Sequence, residues 1–236
     1  MNECVHKIFG KYISSGKPFR IKLLGDSITQ GCGGTDFLQS GEKFIDGFAR
    51  SPDGFSWANL FRDYMQEKYN CTVINNGCAG TKIEFILENY NVLTASDDDI
   101  TICMIGTNNR NQYITDPPKK SKQEYLDTFY MNLLELYSRL KAENKDFVFM
   151  CCVPTTPDRE KDTEKLWRIF HMSDLNELYK KAHKEMGFPF VSLYELFGEY
   201  IASADIDMDS VMYDGLHPND EGYKIMYNII IKEFGV

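Results

Sequence analysis

The sequence contains no apolar run that approaches the length of a membrane-spanning helix. Its longest apolar stretches, such as Phe147 to Val153, fall far short of the roughly 20 residues that such a helix needs. The amino-terminal segment scatters polar and charged side chains and lacks the apolar centre of a secretory signal. We therefore expect no membrane partner and a cytoplasmic location.

Positive charge is also in short supply. The 26 Lys and Arg residues are outnumbered by 35 Asp and Glu residues, which leaves a formal net charge of -9. Proteins held on nucleic acid or on anionic membranes depend largely on basic side chains that neutralise phosphate. The composition therefore argues against nucleic acid as a partner.

The seven cysteines include no CxxC pair of the kind that binds zinc. They cannot all pair with one another, and several fall in apolar runs, so reduced thiols are the simplest interpretation. Adjacent Cys151 and Cys152 would point to opposite faces of a strand, which suits packing. The acidic residues Asp205, Asp207 and Asp209 lack the glycine and the final glutamate of an EF-hand loop. We expect no metal and no other cofactor.

No repeat, low-complexity tract or flexible linker divides the 236 residues. With 43% apolar residues to fill one core, this predicts a single domain over 1–236. Its core would span about 20–236, with residues 1–19 as an amino-terminal extension. Three long irregular stretches, at 31–54, 108–120 and 154–170, are candidates for functional loops.

Short β-rich runs alternate with longer amphipathic ones, which is typical of an α/β fold with helices on both faces of a parallel sheet. Most predicted strands are continuously apolar, as doubly buried strands are; they cover Arg20–Leu24, Thr72–Asn75, Asp99–Ile105, Asp146–Val153 and Pro189–Ser192. Helical spacing of apolar residues or helix start signals predict helices at Phe55–Tyr69, Lys122–Glu143, Asp174–Met186 and Asp220–Glu233. The irregular stretches follow strands one, three and four. They should meet at the carboxyl edge of the sheet, where open α/β folds bind ligands.

A serine follows the first predicted strand directly, in the motif GDSIT at 25–29. A serine in a strand-to-helix turn is exposed at the sheet edge, and the amides that start the helix can stabilise developing negative charge. Ser27 is therefore a candidate nucleophile. Taken alone, Asp26 and Ser27 are equally well explained as a helix cap.

A histidine that could activate this serine stands in the motif DGLHPN at 214–219. A serine hydroxyl needs a base of fixed tautomer, and a carboxylate three residues before a histidine in one loop can fix it. Asp214 and His217 meet that need. His171 also lies in a loop near the predicted active edge, but it has no carboxylate at comparable local spacing.

Two further motifs supply donors for an oxyanion, namely NNGCAG at 75–80 and GTNN at 106–109. A glycine leaves its backbone amide accessible, and an asparagine side chain carries an amide of its own. Gly77 and Asn108 are the candidates. Each motif by itself would be an ordinary turn.

With these four blocks in this order, the sequence resembles the SGNH hydrolases, also called the GDSL esterase and lipase family. The family's Ser, Gly, Asn and His fall on Ser27, Gly77, Asn108 and His217, and its aspartate falls on Asp214. The resemblance implies a three-layer α/β/α fold with a flavodoxin-like sheet of five parallel strands. It also implies an oxyanion hole formed by the amides of Ser27 and Gly77 and by the Asn108 side chain.

The resemblance implies a serine esterase but leaves its substrate open, because the family acts on acetylated sugars, short esters, lipids and thioesters. Polar and aromatic edge loops favour O-acetyl groups on a carbohydrate, so a small-molecule or glycan ester is the expected partner. A lysophospholipase or short-chain lipase, a thioesterase and an O-acyltransferase remain alternatives, as does a binding module of the same architecture. The candidate substrate contacts are Asp26, Trp57, Arg110, Asn111 and Trp167. Trp57 is equally well explained as core and Arg110 as a surface ion-pair partner.

Overall fold

A central sheet of five parallel strands organises the structure, a computed structural model that describes residues 3–37, 43–45, 48–50, 53–143 and 145–236. For 43–45 and 48–50 the description covers the backbone alone. In chain order the strands are β1 (Phe19–Gly25), β2 (Lys43–Ile45), β3 (Phe48–Arg50), β4 (Cys71–Gly77), β5 (Ile100–Met104), β6 (Asn111–Tyr113), β7 (Asp146–Cys151), β8 (Leu166–Arg168) and β9 (Phe190–Ser192). The central sheet has the order β4-β1-β5-β7-β9. This is the flavodoxin-like order predicted from the resemblance.

All five predicted strands are present in the central sheet. The continuous apolar runs explain this agreement, since every residue of β5 is buried and β1 is buried at all positions but one. The parallel register aligns Gly25, at the end of β1, with Gly77 of β4 and with Met104 of β5. The three strands that precede the predicted functional motifs therefore end side by side.

Helices cover both faces of the sheet, which gives the predicted three layers. They are α1 (Glu3–Ser15), α2 (Ser27–Gln30), α3 (Trp57–Lys68), α4 (Ile83–Glu88), α5 (Tyr90–Leu93), α6 (Lys122–Ala142), α7 (Pro157–Glu160), α8 (Met172–Met186), α9 (Leu193–Ser203) and α10 (Asp220–Phe234), with 3-10 turns at Thr107–Arg110 and Met208–Val211. One layer joins α1, α3, α9 and α10, and the other joins α4, α6 and α8. The four predicted helices correspond to α3, α6, α8 and α10.

Local capping explains where the long helices begin and end. The Ser121 side chain accepts the Glu124 amide, and the Glu124 carboxylate accepts the Ser121 amide, so α6 begins with a capping box. The α10 helix begins at the cap Asn219 and ends at Gly235, which adopts the left-handed conformation. Among the described helices, none combines the length and apolarity needed to cross a lipid bilayer.

The amino-terminal segment differs from its prediction. Residues Glu3–Ser15 form a helix whose Val5, Ile8 and Phe9 are buried, and the Phe9 ring stacks on Phe234 of α10 at a centroid distance of 4.6 Å. This corrects the expectation that residues 1–19 lie outside the core. The apolar residues of α1 recur at helical spacing, but interspersed charged and polar residues obscure the pattern.

The three irregular stretches contain short elements of their own. The stretches 108–120 and 154–170 are joined by the antiparallel pair β6–β8, in which Asn111 pairs with Arg168 and Gln112 with Trp167. The stretch 31–54 contains the hairpin β2–β3, and part of it lies outside the described residues. All of these segments connect to carboxyl ends of central strands, as predicted.

Candidate active site

The candidate nucleophile Ser27 stands at the first position of α2, directly after β1. Asp26 is extended and caps this helix, because its Oδ1 accepts the Ile28 amide at 3.0 Å. The turn requires a glycine before it, since a Cβ on Gly25 would lie 2.6 Å from the Met104 carbonyl oxygen. Ser27 itself is 6% exposed, which corrects the expectation that it is exposed at the sheet edge. The helix-cap interpretation falls on Asp26 and leaves the Ser27 side chain available as a nucleophile.

A chain of hydrogen bonds joins the three predicted catalytic side chains. Ser27 Oγ lies 2.9 Å from His217 Nε2, across 190 residues of sequence. On the other side of the ring, His217 Nδ1 lies 3.0 Å from Asp214 Oδ2 and 3.1 Å from Oδ1. This arrangement can orient the imidazole so that Nε2 accepts the serine proton.

Asp214 is held in its charged form by the loop that it belongs to. Partial burial raises the pKa of this carboxyl group. Hydrogen bonds from the His217 ring and backbone and from the Leu216 amide lower the pKa by more than burial raises it. The net effect is a pKa well below the usual range for aspartate. Asp214 is therefore a carboxylate at any pH where the imidazole can act as a base.

The predicted oxyanion donors differ in whether they already have an acceptor. The Gly77 amide donates to Asn75 Oδ1 at 2.8 Å, and Asn108 Nδ2 donates one hydrogen to the Thr81 carbonyl at 3.0 Å. The Asn108 amide keeps a second hydrogen for a ligand. The Ser27 amide begins α2 and has no acceptor among the described residues.

Gly77 contributes a close approach between β4 and the nucleophile turn. A Cβ at this position would lie 2.5 Å from the Gln30 amide nitrogen and 2.8 Å from the Thr29 carbonyl carbon. Only a glycine lets the end of β4 pack directly on α2. This residue therefore helps to position Ser27 through the backbone.

Comparison with known proteins assigns these motifs to a family. A model of the GDSL-like lipase/acylhydrolase family matches residues 23–225, which include the serine, glycine, asparagine, aspartate and histidine described above. The chain belongs to this family. The protein is accordingly a carboxylic ester hydrolase with the SGNH hydrolase fold.

Solved structures of low sequence identity share the fold of this GDSL-like hydrolase. The acetylxylan esterase Axe2 from Geobacillus stearothermophilus is 22% identical, with 92% of this chain and 94% of that chain covered and a TM-score of 0.68. LAE5, described as an alpha/beta hydrolase enzyme from the metagenome of Lake Arreo in Spain, is 18% identical (92% and 95% covered, TM-score 0.68). A protein described as a GDSL-like lipase from Parabacteroides merdae is 19% identical (92% and 95% covered, TM-score 0.66). None of the curated proteins compared with the chain matches it.

Three of the five predicted substrate contacts of the GDSL-like hydrolase lie in its interior instead, namely Asp26, Trp57 and Arg110. Trp57 is fully buried in the core at the start of α3, which corrects the prediction that its ring lines the substrate site. Arg110 is also fully buried, and its Nη1 lies 2.8 Å from Glu160 Oε1. It is neither a surface residue nor an exposed lining residue. Its charge is tolerated inside the protein because Glu160 neutralises it.

The two other predicted contacts, Asn111 and Trp167, lie nearer to the surface. Trp167 of β8 is 38% exposed, and Asn111 of β6 is partly buried and accepts a hydrogen bond from Arg168 Nη1 at 2.9 Å. Asp26 is fully buried and caps α2, which corrects the prediction that it contacts the substrate. Sequence reasoning did not single out Tyr213, which is 72% exposed directly before Asp214.

His171, the alternative base, is engaged elsewhere in the GDSL-like hydrolase. Its Nδ1 lies 2.9 Å from Glu160 Oε2, and the residue precedes α8. His217 therefore holds the position beside Ser27. Within the part of the chain that the structure describes, no three His, Cys, Asp or Glu side chains form a group that could hold a metal ion.

The buried Asp26 carboxyl predicts an unusual dependence of stability on pH. Burial raises the pKa of Asp26 to about 6, although the Ile28 amide opposes this, whereas an unfolded aspartate titrates near 3.9. Between about pH 4 and pH 6 the folded protein binds more protons at this group than the unfolded chain. The contribution of the Asp26 carboxyl to the free energy of unfolding therefore falls as the pH rises from about 4 to about 6.

We compare the free energy of unfolding of Asp26→Asn with that of wild type. We expect this difference to favour the variant more at pH 7 than at pH 4, because asparagine keeps the cap and carries no charge. Urea midpoints of both proteins across this range measure the difference. Asp207→Asn, at an exposed cap that accepts the Asp209 amide, is the control. A constant difference between Asp26→Asn and wild type from pH 4 to pH 7 contradicts the prediction.

Proposed function

We propose that this protein removes acetyl groups from carbohydrate esters, with Ser27 as nucleophile, His217 as base and Asp214 as the group that orients the histidine. The observation that carries the proposal is the contact of 2.9 Å between Ser27 Oγ and His217 Nε2. The depressed pKa of Asp214 supports it, because a carboxylate at Nδ1 stabilises the imidazolium that forms during acyl transfer.

The proposed reaction proceeds through an acyl-enzyme. His217 Nε2 takes the hydroxyl proton while Ser27 Oγ bonds to the ester carbonyl carbon, and the carbonyl oxygen becomes an oxyanion. The Ser27 amide and the second Asn108 hydrogen stabilise that oxyanion, joined by the Gly77 amide if its bond to Asn75 is released. The ester bond then breaks, and the alcohol leaves with the proton from Nε2. Water repeats the sequence on the acyl-enzyme and releases acetate.

Two observations support an acetylated sugar as the substrate class. Exposed aromatic rings lie near the catalytic loop and on the β6–β8 pair, and such rings stack well on sugar faces; they are Tyr113, Trp167 and Tyr213. A surface depression of about 480 Å³ beside Tyr213 is otherwise lined by glycine and polar residues, including Asn219 and Asp220. Both features suit hydroxyl groups better than a long acyl chain.

The solved relatives add support from their own chemistry. Axe2 is described as an acetylxylan esterase, and variants of it that are described as catalytic mutants replace a serine, an aspartate or a histidine. These are the residue types proposed here for the triad. Because the identity is low, the transfer of this substrate class to the present chain is part of the proposal.

Rates across esters of increasing acyl length test the acetylesterase assignment. We expect kcat/KM on para-nitrophenyl esters to be highest for acetate and to fall as the acyl chain lengthens, with acetylated xylo-oligosaccharides also hydrolysed. A maximum at eight or more carbons contradicts the proposal and favours a lipase. Transfer of the acetyl group to an added sugar, detected by product analysis, would indicate an acyltransferase that uses the same triad.

A further inference from the structure

Three arginines collect beside the active site, in a protein whose net charge is -9. We call Arg110, Arg159 and Arg168 the arginine cluster. Arg168 Nε donates to the Arg159 carbonyl at 3.1 Å, and the Ile169 amide donates to the Arg110 carbonyl at 2.8 Å. These contacts bring together residues from the stretches 108–120 and 154–170, both of which follow central strands.

Only one of the three guanidinium groups forms an ion pair with a carboxylate of the described residues. Glu160 forms its ion pair with the buried Arg110, and it also accepts from Thr155 and contacts His171. Among the described residues, neither Arg159 nor Arg168 forms an ion pair with any carboxylate. Asp162 Oδ1 accepts the Arg168 backbone amide at 2.6 Å rather than its side chain.

Electrostatic repulsion within the cluster and donors without acceptors both favour the binding of an anion, although Glu160 and Asp162 offset part of the repulsion at Arg168. Burial, together with the charges of Arg110 and Arg159, lowers the pKa of Arg168 to about 10, so the guanidinium groups act on one another. Arg159 Nε, Arg110 Nε and Arg110 Nη2 are buried, and none of them has a hydrogen-bond acceptor among the residues that the structure describes. Buried donors without acceptors are costly, and the oxygens of an anion would satisfy those that it reaches.

The cluster lies against the loop that carries the catalytic residues. The Thr156 amide donates to the Gly215 carbonyl at 3.0 Å, and a Cβ on Gly215 would lie 3.4 Å from Arg159 Cβ. Gly215 follows Asp214 directly in the sequence. On its other side, Arg168 binds the side chain of Asn111, three residues after Asn108. The cluster therefore adjoins the loop that holds Asp214 and His217.

We infer that Arg159 and Arg168 form a subsite for an anionic group on the alcohol part of the ester, so that the substrate is an acetylated acidic sugar. The inference rests on the proposed function. An acetyl group carries no charge, so a charge that meets these arginines belongs to the sugar. A carboxylate and a phosphate both match the guanidinium fork.

Three acetylated sugars that differ in charge test the subsite. The probes are acetylated glucose, acetylated glucuronic acid for the carboxylate arm, and acetylated glucose 6-phosphate for the phosphate arm. We expect wild-type kcat/KM to be about 10-fold to 100-fold higher for an acidic ester than for the neutral one, as charged hydrogen bonds allow. Raising the salt concentration should reduce this preference.

Variants of the cluster separate its charge from general effects on the enzyme. In Arg159→Gln and Arg168→Gln we expect the ratio of acidic to neutral kcat/KM to fall about 10-fold, and Arg159→Lys should restore part of it. Arg139→Gln is the matched control, because Arg139 pairs with Glu135 near the end of α6 and donates to Leu87. It should keep the wild-type ratio.

A binding measurement distinguishes failure of the subsite from failure of the esterase. Calorimetry with Ser27→Ala should detect glucuronate or glucose 6-phosphate binding at concentrations where glucose does not bind. Ester hydrolysis without acidic preference, and no tighter binding of either acid, overturns the subsite and leaves the esterase standing. Binding of an acid without Ser27-dependent hydrolysis of any ester supports the subsite and overturns the proposed function.

Discussion

Replacement of Ser27 with alanine is expected to lower esterase activity by about 10⁴-fold to 10⁶-fold, the largest effect of any single change. In the proposed mechanism Ser27 Oγ is the atom that forms the acyl-enzyme, and it lies 2.9 Å from His217 Nε2. Alanine keeps the backbone carbonyl that accepts the Gly31 and Cys32 amides, so the turn should persist. Hydrolysis of para-nitrophenyl acetate by both proteins, with folding checked by circular dichroism, measures the effect.

Ser203→Ala provides the control for the loss of a serine hydroxyl. Ser203 is exposed at the end of α9, where its Oγ donates to the Tyr200 carbonyl. We expect this variant to keep wild-type activity. If folded Ser27→Ala kept more than about a tenth of wild-type activity, far above what loss of a nucleophile allows, Ser27 would not be the nucleophile.

Replacement of Asp214 with asparagine is expected to lower kcat by about 10³-fold to 10⁴-fold while the protein still folds. The asparagine oxygen can still accept the His217 and Leu216 amides, as Asp214 Oδ1 does. The NH₂ group of the introduced asparagine would then face His217 Nδ1. It would favour the histidine tautomer that carries the ring proton on Nε2. In that tautomer Nε2 cannot accept the proton of Ser27.

The same variant should change the response of stability to acid. The pKa of Asp214 is depressed in the folded state, so its stabilising effect is complete above the unfolded value near 3.9 and is lost as the pH falls through the folded value. Wild type should therefore lose more stability on acidification below about pH 4 than Asp214→Asn. Unfolding midpoints measured at pH 3 and pH 7 test this, and parallel curves for the two proteins would contradict it. Asp127→Asn, on the exposed face of α6 where it accepts from Gln123, is the control.

A serine and a histidine 190 residues apart were predicted to meet, and the structure brings them to 2.9 Å. That prediction was possible because each residue lies in a short motif whose place relative to a strand or helix is set locally. The parallel order then carries the ends of β1, β4 and β5 to one edge. The five strands were predictable for a related reason, since a doubly buried strand needs a continuous apolar run.

Other features depend on long-range packing, and local patterns predict them poorly. The α1 helix joins the core through Phe9, whose partners Phe61 and Phe234 come from distant helices. Trp57 begins an amphipathic helix, and its neighbours decide that the indole is enclosed. The Gly77 amide was predicted as a donor to the oxyanion, and in the structure it donates to Asn75 Oδ1.

The sequence by itself determined the sheet, the chain order of the four family motifs and the family, because strand burial and turn chemistry depend on residues that are neighbours in the sequence. Tertiary structure alone decided the burial of Arg110, whose charge is tolerated inside only because Glu160 arrives from 50 residues away. It also decided that, within the described part of the chain, Arg159 and Arg168 form no ion pair with a carboxylate beside the loop of Asp214 and His217. Charge balance is a property of neighbours in space, and the fold assembles those neighbours from segments that no local pattern connects.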